Sequence, residues 1–117
     1  MIIATLPTSQ NFVPYGEASI KDGCIDMPGI GFRCFCFIKD KCVTNTGFSF
    51  PLDTFIYGRG VEDYSIETLS LTYRVENIDY VKCGQINDEI YLDLLHCLKD
   101  ASNIKRKFKR MIAEWLT

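Results

Sequence analysis

What the chain has little of narrows its chemistry first. One histidine, His96, serves all 117 residues. A nucleophilic serine or cysteine needs a nearby base, usually an imidazole, and metal centres draw on the same ring. On a helix, His96 stands about 100° round from Cys97, which points into an apolar arc, so these neighbours cannot pair directly. Cys-x-x-Cys is also missing. The one close pair is Cys34-x-Cys36, whereas zinc knuckles use the wider spacing so that both sulfurs converge. Neither Gly-x-Gly-x-x-Gly nor Gly-Lys-Ser/Thr occurs, so "PGIGF" and "GRG" read as turns rather than phosphate loops. Outside one helix start, no spacing fixes two carboxylates on a common face as acid–base chemistry would need. No catalytic residue can be named, and the chain reads as a non-enzyme without a cofactor.

Other absences concern location. No apolar run approaches the roughly 18 residues that cross a bilayer. The opening "MIIATLP" has no basic region and meets Pro7, unlike a signal peptide. Asn-x-Ser/Thr is missing as well, so nothing asks for glycosylation. Six cysteines fall below the roughly 8–10% of a disulfide scaffold. The expectation is a soluble, cytoplasmic protein without membrane contact, its thiols reduced.

What is present suffices for a core. Apolar residues make up 47% and charged residues 24%, ordinary values for one globular domain spanning residues 1–117. Up to about Cys83 the segments are short, rich in Phe, Tyr, Ile, Val and Thr, and cut by Gly, Pro, Asn and Asp, which is a strand-and-turn pattern. Strand candidates are "IIATL", "EASI", Phe32 to Ile38, "TGFSF" and "TFIY", with turns at Asp22-Gly23, Pro28-Gly29 and Gly58 to Gly60. The alternation of Leu69, Leu71, Tyr73 and Val75 with Ser70, Thr72 and Arg74 predicts a strand with one dry face, closed into a hairpin by Glu76-Asn77 and "IDYVKC".

From Asn87 the period becomes helical. Asn87 caps, Asp88 and Glu89 suit the positive helix end, and Ile90, Leu94, Cys97, Leu98 and Ala101 share a face. Ile104, Phe108, Met111, Ile112, Trp115 and Leu116 form a second apolar run. One unbroken helix from Asp88 to Leu116 would run about 43 Å, longer than the roughly 35 Å diameter of a domain this size. A bend at Ser102-Asn103 is therefore expected. The whole reads as an α+β fold: a mostly antiparallel, twisted or curled sheet of about five to seven strands packed against a C-terminal helix or bent helix pair.

Within "GFRCFCFIKDKC", strand geometry sends Cys34 and Cys36 to one face and Phe35 and Phe37 to the other, with Lys39-Asp40-Lys41 as the closing turn. Both faces are apolar, as in a central strand covered on two sides, and free cysteine behaves there as a small hydrophobe. The alternative is a thiolate metal or redox site drawing on Cys34, Cys36, Cys42 and Cys83, with Cys24 another possible ligand.

Charge is unevenly placed. Residues 1–103 carry 8 Lys/Arg against 14 Asp/Glu, and residues 104–117 carry 5 against 1. In the acidic body, carboxylates stand near tyrosines at Glu62-Asp63-Tyr64, Asp79-Tyr80 and Asp88-Glu89-Ile90-Tyr91. Tyrosine is enriched at the centres of protein interfaces, and charge steers association. These residues point to a protein-binding module of the inhibitor, antitoxin or immunity kind that engages a basic partner. A second reading gives Lys105, Arg106, Lys107, Lys109 and Arg110 to nucleic-acid phosphates.

Overall fold

The computed structural model describes residues 2–4, 20–101 and 103–117, the first three by backbone alone. Its elements are β1 (Ile2–Ala4), β2 (Gly23–Met27), β3 (Phe32–Phe37), β4 (Thr54–Tyr57), β5 (Val61–Asp63), α1 (Ile66–Thr72), α2 (Asp88–Lys99) and α3 (Arg106–Trp115), with 3₁₀ turns at Pro28–Ile30 and Gly58–Gly60. The α+β class and the antiparallel pairing agree with the sequence. The sheet of five to seven strands does not form among the described residues. Instead β2, β3 and β4 make a three-stranded sheet in that order, and β1 pairs with β5 as a separate two-stranded ribbon.

Two segments expected to extend the sheet do something else. "TGFSF" makes a single bridge, Cys42 to Ser49, instead of a strand. The predicted hairpin from Ile66 to Cys83 is a helix followed by irregular turns. "EASI" lies outside the described residues apart from Ile20.

β3 is the central strand, and its alternation comes out as its sequence implies. Phe35 and Phe37 join the core with Val43, Ile56 and the helices, while Cys34 and Cys36 pack on the opposite face with Ile25, Phe55 and Tyr57. Lys39 and Asp40 form the turn that ends the strand, Asp40 at a positive φ of 66°. β2 was not foreseen. Its register sets Asp26 opposite Arg33, and the pair forms an ion bridge of 2.8 Å, a cross-strand contact that helps fix the pairing.

The predicted helical bend is present, since α2 ends at Lys99 and α3 begins at Arg106. Ser102, at the expected break, lies outside the described residues. Buried Leu95, Cys97, Leu98, Ala101, Ile104, Phe108 and Ile112 dock both helices onto Phe35 and Phe37 of β3 and Ile56 of β4. Trp115, assigned to that face by periodicity, is instead 51% exposed. It is the last residue of the helix. Asn87 occupies the N-cap without a side-chain bond; its backbone N–H donates to the Val43 carbonyl at 3.0 Å. Gly58 allows the close approach of sheet and helix: a Cβ there would stand 2.9 Å from the Ile104 nitrogen.

The expectation of reduced thiols is corrected at one pair. Cys24 opposes Phe35 in the register, so its side chain faces the helices. There it forms a disulfide with Cys97 of α2, with Cα atoms 5.6 Å apart. Cys34, Cys36, Cys42 and Cys83 remain free.

Candidate functional site

Between β5 and α2 the chain leaves the core and does not return for about twenty residues. Its departure point, Val61, is buried. Its return is fastened by four hydrogen bonds: Thr44 and Thr46 hydroxyls donate to the Cys83 carbonyl at 2.9 and 2.7 Å, the Gln85 N–H donates to Asn45 Oδ1 at 2.9 Å, and the Asn45 N–H donates to the Gln85 carbonyl at 2.9 Å. Every residue from Asp63 to Lys82 except the half-buried Leu69 is exposed. This segment is called the arm below.

Local bonds, rather than packing, give the arm its shape. Ser65 caps α1 by accepting from the Thr68 N–H at 3.1 Å, and Glu67 lies in the first turn. Thr72 Oγ1 donates back to the Thr68 carbonyl at 2.9 Å. The following loop closes on Asp79, whose Oδ2 accepts from the N–H groups of Arg74 and Val75, both at 2.9 Å. Asn77 takes the left-handed conformation at φ 69°, which asparagine tolerates better than most residues, and donates to the Tyr80 carbonyl. A strand of alternating Leu69, Leu71, Tyr73 and Val75 would need a neighbouring strand and a core to cover its dry face. The capped helix satisfies its own backbone, which is why it forms here.

The apolar side chains of the arm stay in solvent. Ile66 is 69% exposed, Leu71 68%, Ile78 80% and Val81 68%, and Tyr73 and Val75 are about half exposed. Full burial of each such aliphatic side chain would contribute about 1.5–3 kcal/mol. Leu69, Ser70, Tyr73 and Tyr80 line a shallow, largely apolar cleft of about 270 Å³. Along the same stretch, residues 61–80 carry five carboxylates, Glu62, Asp63, Glu67, Glu76 and Asp79, against the single cation Arg74.

The structure thus divides the predicted partner-binding residues into two groups. Glu62, Asp63, Tyr64, Asp79 and Tyr80 belong to β5 and the arm; Asp88, Glu89 and Tyr91 lie in the first turn of α2. Asp79 holds the loop together, and Glu62 Oε2 accepts from Lys105 Nζ at 3.4 Å. Tyr64, Tyr80 and Tyr91 are each about 40% exposed. Leu71, Tyr73 and Val75 are on the surface although their alternation with Thr72 and Arg74 reads as the dry face of a sheet.

The cysteines considered for metal are not brought together with further ligands. Among the described residues no group of three or more His, Cys, Asp or Glu is placed to hold a metal ion. Cys34 and Cys36 are fully buried, Cys42 is exposed and Cys83 half-buried. Desolvation pushes the Cys34 thiol up to about 11. It pushes Cys36 up to about 12, with help from the charges of Asp53, Cys34 and Asp22 against one lowering backbone bond from Thr54. Both therefore stay protonated at neutral pH, where a thiol is a poor nucleophile.

The basic residues Lys105, Arg106, Lys107, Lys109 and Arg110 all lie on the exposed side at and beyond the start of α3. Lys105 is engaged with Glu62, and Lys107 sits 4.8 Å from the centre of the Phe108 ring. Among the described residues no helix is long and apolar enough to cross a membrane. The chain matches no protein family, no curated protein and no solved structure.

Proposed function

We propose that the protein is a non-enzymatic protein-binding module whose arm docks a basic partner protein, with an inhibitory role of the antitoxin or immunity kind as its mode of action. One observation carries this: a fixed-ended segment holds Ile66, Leu71, Ile78 and Val81 in water, forms a cleft lined by Tyr73 and Tyr80, and is rich in carboxylates. Exposed contiguous apolar surface with a polar rim is the form of a protein interface. The acidic rim names the partner's charge, since a complementary basic face is steered onto it and a like-charged one is repelled. Tyr73 and Tyr80 are the natural anchors, being aromatic, amphipathic and beside a cleft that a partner side chain can fill. Inhibition follows if the partner's basic face is its own working surface, which the arm then occupies.

The test compares binding of the wild-type chain with that of two variants, one carrying Ile66→Ser, Leu71→Ser, Ile78→Ser and Val81→Ser, the other Glu67→Lys and Glu76→Lys. A photo-crosslinker at position 71 identifies what the arm touches in extracts of the source cells. A basic protein captured at one-to-one stoichiometry, lost with both variants and weakened by salt, is the expected result. Retention of the same partner by both variants would overturn the reading, as would self-association through the arm. Binding of nucleic acid abolished by charge reversal at Lys105, Arg106, Lys107, Lys109 and Arg110 would move the function to α3.

A further inference from the structure

Away from the arm, a second place on the surface combines a reactive bond with a cleft. Asp22, Gly23, Cys24, Arg33, Asp93, His96, Cys97 and Asp100 line a depression of about 510 Å³, within the size range of small-molecule sites. Its lining includes both halves of the Cys24–Cys97 disulfide. The two sulfurs are not equivalent. Cys97 is buried within the α2 interface, whereas Cys24 on β2 is only half-buried. Arg33 places Nη1 3.7 Å from Cys24 Sγ while its Nη2 stays anchored to Asp26. On the far side, the Cys34 carbonyl oxygen stands 3.3 Å from Cys97 Sγ.

We infer that the Cys24–Cys97 disulfide is a thiol-exchange site, open to attack at Cys24 and selective for thiols that carry positive charge. This is independent of the docking reading. The incoming thiol loses its proton, and its thiolate attacks Cys24 Sγ. A new sulfur–sulfur bond forms there as the bond to Cys97 breaks, and the electron pair departs on Cys97 Sγ. That sulfur takes up the proton released by the attacker and donates it in a hydrogen bond to the waiting Cys34 carbonyl. A second thiolate then attacks the sulfur of the first, releasing the small disulfide and leaving Cys24 as a thiolate beside the Arg33 guanidinium, which stabilises it. Two thiols become one disulfide, and the protein's disulfide becomes two thiols. The chemistry is stoichiometric, because no oxidant is invoked to reform the bond.

The charges around the cleft set the preference. Arg33 is balanced by Asp26, and Asp22 by Lys41. Asp93 and Asp100 also line the cleft with His96, so an anionic thiol meets repulsion and a cationic one attraction.

The experiment uses the whole, oxidised chain and two probes of similar size, cysteamine and 3-mercaptopropionate, at matched thiolate concentrations. Exchange is quenched by alkylation and read by peptide mass, with circular dichroism reporting the fold. Cysteamine should open the pair about tenfold faster than mercaptopropionate while the protein stays folded, with the transient adduct on Cys24. Arg33→Met should slow both thiols about tenfold and Arg33→Lys should restore most of the rate, since a point charge is enough for this role. Cys97→Ser leaves Cys24 as a lone thiol, which should exchange with cystamine to hold one stable mixed disulfide at Cys24 as cysteamine departs; if that variant does not fold, the wild-type rates decide alone. Reduction only under unfolding conditions, equal or reversed rates for the two thiols, or an adduct on Cys97 would overturn the inference.

Discussion

The core and the arm use the same kinds of residue to opposite ends. In the β2–β3–β4 sheet and the helices on it, Phe55 and Phe108 have no solvent exposure at all. In the arm, side chains just as apolar stand in water, held by a cap, an aspartate loop and two pinned ends. Apolar composition therefore does not decide burial. What decides it is whether the backbone can satisfy itself close to a surface that will receive the side chain.

The sharpest way to test that contrast is to remove one large side chain from each region. Phe108→Ala should cost about 3–5 kcal/mol in urea unfolding, because the ring is wholly enclosed and the helix cannot collapse fully into the space. Gly58→Ala attacks the same core from its seam. The added Cβ meets the Ile104 backbone nitrogen at 2.9 Å, and separating sheet from helix should cost about 1–3 kcal/mol. Both numbers come from equilibrium denaturation of otherwise identical chains.

Alkaline pH probes the core without mutation. Unfolded thiols ionise near 9.0, whereas burial keeps the proton on Cys34 until about 11 and on Cys36 until about 12. Tyr57 behaves likewise, its burial raising it from 10.0 to about 12. Above pH 9 the unfolded chain binds fewer protons than the folded one, so stability falls as pH rises through that window. The urea midpoint measured from pH 8 to pH 11 should decline steadily. In Cys34→Ala with Cys36→Ala the slope should flatten, leaving the later contribution of Tyr57.

At the small end stands the arm. Leu71→Ser and Ile78→Ser should each change unfolding by no more than about 0.5 kcal/mol, as expected of exposed positions. A loss above about 2 kcal/mol at either would show that the arm is packed and would erase the contrast.

The sequence carried the core more clearly than the arm, for reasons visible at single residues. β3 could be read from its alternation because both of its faces are buried, and α2 and α3 from a helical period that burial enforces. α1 reads as a strand because the alternation of Leu69, Leu71, Tyr73 and Val75 begins inside it and runs past its end. No buried face exists to arbitrate there, and Ser65, the deciding cap, is a weaker mark than four spaced hydrophobes. β2 was hidden by Asp26, whose meaning depends on Arg33 across the strand gap. The disulfide joins residues 73 apart, a distance at which pairing is fixed only by the fold. The acidic and tyrosine residues were legible as surface, but the aliphatic ones beside them looked like interior.

The four free sulfurs also grade the molecule by depth. Cys42 is exposed, Cys83 half-buried, and Cys34 and Cys36 sealed within the sheet. Each is a natural label at a different level of opening, from the surface through the root of the arm to the middle of the fold. A single time course of modification by a thiol reagent would thus read surface access at Cys42, fraying of the arm's clasp at Cys83, and the rate of global opening at Cys34 and Cys36. The chain contains its own clock for breathing motions, with no probe added.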